Sequence, residues 1–556
     1  MVYAADLLIA CNLCSSKPAP RDRENDHFSV VKPWLSHSVF HRCVRGVTVS
    51  AMKRATILDC YTVEPAGLGV PPYLSSYVRY AYHSLRATNS FEDIRYITID
   101  DFRQATGRHN ADARKLGYTD RLTYSTTRNC NQTLDLLSSS DVVIVIAGDA
   151  VPSVHLHAEN GSIGEIGEVL QYIHGKVLAL GPAAAYLRSP SHPLNGRFTA
   201  FHNQTILPSN IFEGSNRPIT YLQLDGLIDS YEPLLSQIPW PVIAEMDLYR
   251  GCTRRSLCDF CNEPAKNPLV LFRSPEHVIR EIGLLYDAGV RHFRLGQQAC
   301  FFSYFNRDIT KISELLEGIR NRCCDLKVLH IDNVDPLAAA SPNGRAIARL
   351  VTTYCTEGNC APMGIESFDM AVVQANNLTC TPDVLLRAIA NIEETGAEFG
   401  PSGQRKLLAG LNIIYGLPAE TRRTHFENMQ WLVKIFDDGH YCHRTNVRQV
   451  NVYPGTPLAS QTLESSVTFD EDFRSWKRDI GELYDRPMKE RVYPNGQALY
   501  GLHSFFVNEQ GTWFRKLGSY PIMVIEPEIM LPLYEERDMV VTSHAGRHIY
   551  GRKLDS

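Results

Sequence analysis

From residue 55 onward, short apolar runs alternate with stretches of helical period. Ile57–Asp59, Tyr96–Ile99, Val142–Ala147 and Val177–Leu180 are runs rich in β-branched residues, of the length and composition that a strand buried on both faces needs. Between them, Tyr73–Leu85 and Ile163–Ile173 carry their apolar residues at helical spacing. Strands alternating with helices predict right-handed crossovers and a doubly wound sheet over residues 52–235. In such a sheet ligands bind beyond the carboxyl ends of the strands. The loops expected at that edge, 62–72, 148–164 and 181–182, are rich in Gly and Pro, including Pro71, Gly148 and Gly181.

A second βα series covers residues 236–460. Its predicted strands are Val242–Leu248, His292–Leu295, Val328–Ile331, Pro362–Ile365, Leu411–Ile414 and Gln449–Tyr453, with helices such as Pro275–Ala288, Pro382–Thr395 and Thr424–Phe436 between them. About six βα units in sequence predict a partial or full barrel. Over 461–556 the pattern weakens to a helical piece, Phe469–Tyr484, and a β-leaning tail with Met523–Ile525 and Met539–Thr542, expected to form a small α+β domain. The fold class expected is therefore α/β, in three domains. A chain of 556 residues is too long for one core, which agrees.

Composition adds exclusions. Apolar residues make up 44% and charged residues 21%, with a net charge of −5, so no bulk basic signal points to nucleic acid. Fifteen cysteines are scattered through a chain far longer than a disulfide-stapled module, which suits a reducing compartment with metal or redox use for a few of them. The apolar runs are too short to span a bilayer, and a soluble cytoplasmic protein is expected. Residues 1–51 lack periodicity and hold an isolated pair, Cys11 and Cys14. They are expected to be a disordered, dispensable extension with Met52 as the natural start.

The informative segment is Cys252-Thr-Arg-Arg-Ser-Leu-Cys258-Asp-Phe-Cys261, placed by the pattern in the loop after the first barrel strand, where barrel active sites are built. Three thiolates can hold three irons of a 4Fe–4S cube and leave the fourth iron open. Zinc is the alternative. It asks for a fourth Cys or His at close spacing, and none follows Cys261 before His277.

The three-cysteine loop resembles the signature of the radical S-adenosylmethionine (SAM) superfamily, although five residues separate the first two cysteines where three are usual. That resemblance implies a 4Fe–4S cluster on Cys252, Cys258 and Cys261. It further implies SAM contacts from Gly364, Glu366 and Ser367, from Asn412, Gly416 and Glu420, and from Gly296, Gln297 and Gln298, where a glutamate of the superfamily pattern is replaced. An amide there can still accept from an ammonium. Residues 59–73, His330-Ile-Asp-Asn333, Asn446-Val-Arg-Gln449, Leu517-Gly-Ser-Tyr-Pro521 and His544-Ala-Gly-Arg547 resemble the hallmarks of one archaeal radical SAM family, whose helix-hairpin-helix tail does not follow here.

Residues 52–235 resemble the Rossmann-like cobalamin-binding module that precedes the barrel in cobalamin-dependent radical SAM enzymes. The resemblance implies a corrin near Pro71, Tyr73, Gly148 and Gly181, held without the Asp-x-His-x-x-Gly histidine, which is absent. It also implies hydrogen abstraction from an unactivated carbon followed by methyl transfer, with an electron donor of ferredoxin or flavodoxin type. The target expected is a peptide or protein rather than RNA, with methyl-coenzyme M reductase the specific candidate. A cobalamin-independent radical SAM enzyme, methylthiotransferase-like or RNA-modifying, is the second reading. It is weakened by only Cys60 and Cys130 being available for a second cluster. A non-catalytic iron–sulfur protein is the third. Tyr415, Tyr453, His330 and Asp332 are candidates for contact with the reacting groups, and Arg448 for gripping an anion.

Overall fold

The computed structural model describes residues 54–64, 67–68, 70–108, 125–148, 160–203, 206–213, 219–461 and 470–555. The extension 1–51, with Cys11 and Cys14, lies outside the described residues, as do parts of the loops 62–72 and 148–164.

The first layer begins with β1 (Arg54–Asp59), followed by a small hairpin of β2 (Val63–Glu64) and β3 (Gly67–Leu68). Next come β4 (Tyr73–Leu74) and a helix, Ser76–Ala87, capped by the Ser75 side chain accepting from the Val78 N–H. The strands β5 (Asp93–Thr98), β6 (Val142–Ile146), β7 (Lys176–Leu180) and β8 (Ala200–His202) complete a parallel sheet of order β5-β1-β6-β7-β8. Chain order reverses beside β1, as in a doubly wound sheet. Leu58, Ile97, Val143 and Val145 face one apolar layer. Ile57, Tyr96, Ile144 and Leu178 face another, which runs on without interruption into the core of the second series. The apolar runs mark these strands because both faces are covered.

The second series contains β9 (Ile243–Asp247), a short pair β10 (Tyr249–Arg250) and β11 (Leu271–Phe272), β12 (His292–Gly296), β13 (Val328–Ile331), β14 (Asn359–Glu366), β15 (Leu407–Tyr415) and β16 (Cys442–Gln449). Helices Pro275–Asp287, Ile309–Arg322, Pro342–Tyr354, Pro382–Gly396 and Arg422–Asp437 lie between successive strands. Two parallel sheets form, β13-β12-β9-β4 and β14-β15-β16. The Val334 N–H donates to Pro362 O at 2.9 Å across the seam between β13 and β14. The wall is a partial barrel of six strands plus one borrowed from the first layer.

Three expectations need correction. Tyr73 and Leu74 do not open the helix: they form β4, opposite Ile243 and Ala244 of β9. The last barrel strand is Cys442–Gln449 rather than Gln449–Tyr453. Its Cys-His-Arg-Thr-Asn-Val-Arg-Gln sequence lines a polar lumen and so lacks the apolar run that marks a buried strand. The tail is more regular than a weak pattern suggests. After the helical turns of 470–492, strands β17 (Ala498–Asn508), β18 (Gly511–Arg515), β19 (Val524–Pro527), β20 (Glu536–His544) and β21 (Ile549–Lys553) close into a barrel of order β17-β18-β19-β21-β20. Its one parallel pair is β19–β21.

Candidate functional site

Along β9, β12 and β13, Ala244, Met246, Phe293, Leu295, Leu329 and Ile331 join the apolar layer under the helices. Glu245, Arg294, His330 and Asp332 therefore turn to the lumen. Arg294 Nη1 donates to both Glu245 oxygens at 2.8 and 2.9 Å and also pairs with Asp332. Gly296 leaves room for Glu245, since a Cβ there would stand 1.8 Å from Glu245 Oε1. Burial, only partly offset by Arg294, pushes the Glu245 carboxyl up to about 7.

The segment 516–521, between β18 and β19, enters the open side of this wall. Tyr73 on β4 donates to Gly518 O at 2.9 Å, and His443 on β16 is bonded through Nε2 to Tyr520 O at 2.6 Å. The segment thus bridges the two free edges of the partial barrel. Tyr520 donates to Asp332 Oδ1 at 2.9 Å, and its ring lies 5.5 Å from the Arg294 guanidinium and 5.4 Å from that of Arg444. His330 accepts from the Ser519 N–H at 3.0 Å, with its other nitrogen on Glu357 O at 3.1 Å. Both nitrogens are committed to backbone, and burial drives the ring to about 3, leaving it neutral. Asp332 is committed likewise, to Arg294 and Tyr520.

The cysteine loop follows β10. Gly251 sits at φ +84°, where a side chain would meet Leu269 O at 2.7 Å, and its N–H donates to Glu263 Oε1 at 2.9 Å. This turn sends Cys252 toward the barrel mouth. Arg254 donates to Asp335 through Nε at 3.1 Å and Nη2 at 2.9 Å, tying the loop to the segment after β13, and donates to Cys258 Sγ at 3.2 Å. On the other side Asp259 accepts from Asn377 at 2.7 Å and Gln461 at 3.1 Å. Cys258 packs with Val372, Val373, Leu378 and Leu417, and Phe260, Cys261 and Ile414 border this cluster.

Each sulfur has one N–H donor: the Arg254 backbone for Cys252, the Arg254 guanidinium for Cys258 and the Glu263 backbone for Cys261. Burial raises all three thiols, Cys258 to about 11 and Cys261 to about 12, with the Cys252 charge adding to both and that of Cys258 adding to Cys261. Three neighbouring sulfurs, Cys258 buried and Cys252 and Cys261 half-buried, each already facing a donor, fit three corners of an iron–sulfur cube, whose irons would displace the protons. Among the described residues no three His, Cys, Asp or Glu side chains converge as ligands of one ion.

The Glu366 carboxylate is within electrostatic reach of Cys258. Glu366 ends β14 at φ +61°. Its Oε2 is buried without a hydrogen-bond partner, and burial, only partly offset by Arg254 and Arg448, pushes it up to about 7. Gly364 gives Glu366 space, and Ser367 accepts from the Asp369 N–H at 3.2 Å. Asn412 turns to the lumen, its amide 3.3 Å from that of Asn446. Glu420 accepts from the Gly416 N–H at 2.6 Å and closes the turn after β15. Gln297 accepts from Ser76 of the first layer, while Gln298 is buried with Nε2 on Leu295 O at 2.7 Å and its Oε1 unpartnered.

Tyr415 faces away from the lumen, against Trp476, with its hydroxyl on His425 Nδ1 at 2.8 Å. Tyr453 lies beyond β16, its carbonyl accepting from Thr456 at 2.7 Å. Tyr73 is occupied by Gly518, and Pro71 precedes it. Gly148 and Gly181 lie at the carboxyl edge of the first sheet: the Gly148 N–H donates to Tyr61 O at 3.2 Å, and a Cβ on Gly181 would meet Ala147 O at 2.7 Å. The structure thus gathers the cysteines, Glu366, Asn412 and Arg448 at one mouth and keeps Tyr415 out of it. Sequence reasoning missed Arg254, which lies inside the widened cysteine spacing, and Tyr520, which stands in a quoted hallmark without a role.

Fold and site together define an α/β protein in which a doubly wound layer is joined to a partial barrel with a three-cysteine loop at its mouth. No protein-family model matches the chain. It is 34% identical over 542 residues to an uncharacterized protein, MJ0274, of Methanocaldococcus jannaschii, covering 91% of this chain and 94% of that protein. It is 30% identical over 486 residues to an uncharacterized protein of Archaeoglobus fulgidus, covering 85% of this chain and 84% of that one. The chain belongs to the archaeal family of these proteins. Among solved structures it is similar to the radical SAM methyltransferase TsrM of Kitasatospora setae, with cobalamin and a 4Fe–4S cluster bound. The TM-score is 0.47 at 13% identity, over 73% of this chain and 77% of that one. It is also similar to the cobalamin-dependent radical SAM enzyme OxsB, with a TM-score of 0.45 at 12% identity, over 76% of this chain and 56% of that one.

Proposed function

We propose that the protein is a radical SAM enzyme whose 4Fe–4S cluster is held by Cys252, Cys258 and Cys261. The carrying observation is that these three sulfurs share one loop at the barrel mouth, each with its own N–H donor and with Glu366 within electrostatic reach of Cys258. When bound, the cluster and SAM supply one-electron cleavage of the sulfonium. The residues' part is placement. Glu366, with its unpartnered buried oxygen, is suited to a ribose hydroxyl, and Gly364 and Ser367 shape its strand end. Asn412, Gly416 and Glu420 are proposed for the adenine and methionine ends of SAM. Gln297 and Gln298 offer amide oxygens to its ammonium in place of a glutamate. Replacing the three cysteines by alanine is expected to remove bound iron and formation of 5′-deoxyadenosine together. Iron retained with cleavage intact would refute the assignment.

The finer reading is a cobalamin-dependent methyltransferase acting on carbon of a peptide or protein, with Gly148 and Gly181 at the corrin edge. Its support is the doubly wound sheet, at whose carboxyl edge the backbone packs closely at Gly161 and Gly181, and the net charge of −5, which disfavours RNA. Retention of about one cobalamin per chain by reconstituted protein, and loss of methyl transfer without it, tests this reading. Cleavage of SAM with no corrin retained would favour a cobalamin-independent enzyme.

A further inference from the structure

The barrel lumen holds positive charge that the cluster and SAM chemistry do not use. On β16, Arg444 and Asn446 turn toward the lumen, and Arg448, two residues on, stands exposed near the strand's end at the mouth. Arg444, with Asn412, Asn446, Gly410 and the Tyr520 ring, lines a small cavity inside the barrel. The Asn446 amide oxygen accepts from Arg448 Nε and Nη2, both at 2.9 Å, in the orientation that satisfies both side chains. Arg448 is thereby aimed rather than free to swing. Lys477, on the helix Asp470–Ile480, faces the same place: after burial, the charges that depress its ammonium are those of Arg547, Arg448 and Arg444.

These cations lack partners of the kind Arg294 has. The nearby ion pairs, Arg422–Asp472, Arg423–Glu427, His425–Asp479, Arg486–Glu482 and Arg486–Glu490, use other cations. Among the described residues no ion pair includes Arg444, Arg448, Lys477 or Arg547. Three acids border the group, and one of them, Glu482, 3.2 Å from where a Cβ on Gly546 would stand, pairs with Arg486. Asp485 is engaged by the Thr445 N–H at 3.1 Å and hydroxyl at 2.7 Å and lies beside Lys489, and Glu366 near Arg448 is raised toward neutrality. The Tyr520 face stabilises Arg444 only in part. Like charges held together with excess donors, Arg444 and Lys477 half-buried and Arg448 and Arg547 exposed, are stabilised when a ligand brings the opposite charge, and paired guanidiniums match planar oxyanions.

We propose that the substrate is anchored by an oxyanionic group, a carboxylate or a phosphate, seated between Arg444 and Arg448 with Lys477 adding charge and the Tyr520 ring as floor. The proposal rests on the radical SAM reading for what is done to the substrate, and on the lumen alone for its charge.

The test uses full-length protein purified anaerobically with its cluster and treated with phenylglyoxal, an arginine reagent, with labelled sites read by peptide mass spectrometry. Acetate and inorganic phosphate are the probes, and chloride at equal ionic strength is the control. Labelling of Arg444 and Arg448 is expected to slow several-fold with either oxyanion, while that of the exposed Arg474 does not change. Stronger protection by acetate assigns a carboxylate, and stronger protection by phosphate assigns a phosphate. In Arg444→Gln the protection of Arg448 is expected to disappear, and in Arg444→Lys to return in part. Equal labelling in chloride and oxyanion overturns the proposal. So does complete protection by SAM alone, which assigns the arginines to the SAM carboxylate. Formation of 5′-deoxyadenosine by the same preparation is measured in parallel. Its absence, with oxyanion protection intact, removes the radical SAM reading and leaves the anion seat standing.

Discussion

Arg254 does two jobs with one guanidinium: it binds Asp335 through two nitrogens and points the third at Cys258 Sγ. Donors and positive charge near a cluster's sulfurs favour its reduced form. Arg254→Met keeps the aliphatic stem and removes both, so an EPR-monitored redox titration is expected to give a more negative potential. An unchanged potential would leave Arg254 as a tie to Asp335 alone. Two buried glutamates respond to pH in opposite senses. Burial works to raise Glu281, but Arg273 and Arg79 hold it down to about 2, below its ordinary 4.5. Its stabilisation is therefore present above pH 4.5 and lost as pH falls toward 2. Glu245 is raised by burial from 4.5 to about 7, so its contribution is full below pH 4.5 and lost as pH rises through 7. Thermal melts are expected to show the deficit of Glu281→Gln shrinking as pH drops below 4.5. Those of Glu245→Gln should move in the variant's favour between pH 4.5 and 7. At this scale the sequence displays the cysteines, because thiols at close spacing are rare. It hides Glu281 and Arg273, whose meaning comes mostly from Arg79, Tyr231 and Asp225, far along the chain.

Elements with apolar runs are legible in the sequence. β6 and β13 fall within a residue of their expected bounds, because strands packed on both faces repeat Val, Ile and Leu. β16 was displaced because lumen-facing arginine and asparagine interrupt such a run. β4 was hidden because two residues make no period. The same holds for the clasp 516–521, an irregular stretch whose role depends on the two edges it joins. Its fit is tight: a Cβ on Gly518 would stand 2.6 Å from His330 Cε1 and 2.7 Å from Nδ1. Gly518→Ala is expected to destabilise by about 1–3 kcal/mol through overpacking, measured by urea unfolding. Gly196→Ala, with nothing within 4 Å of the added methyl, serves as the neutral control.

Across the whole molecule, the first layer and the barrel share backbone as well as surface. Arg79, on the helix after β4, donates to Leu74 O and Glu245 O, each at 2.7 Å, and to Glu281 at 3.0 Å. Glu281 also accepts from Tyr231 at 2.6 Å and Arg273 at 2.5 Å. All these side chains are buried, so Arg79→Met, which leaves acceptors and a carboxylate short of partners, is expected to cost about 3–5 kcal/mol. Calorimetry should show it in a single transition, since no free interface separates the two layers. The clasp has a consequence in time. Tyr73 and Gly518 meet across 445 residues of sequence. At about 5–20 residues per second on the ribosome, the cysteine loop emerges roughly 10–50 seconds before the segment that closes the barrel around it. Until then the nascent wall stands open on one side with its three thiols already made. Assembly of the proposed cluster and final closure are then separable events in the life of each chain, and the open interval offers iron a side that the finished protein seals.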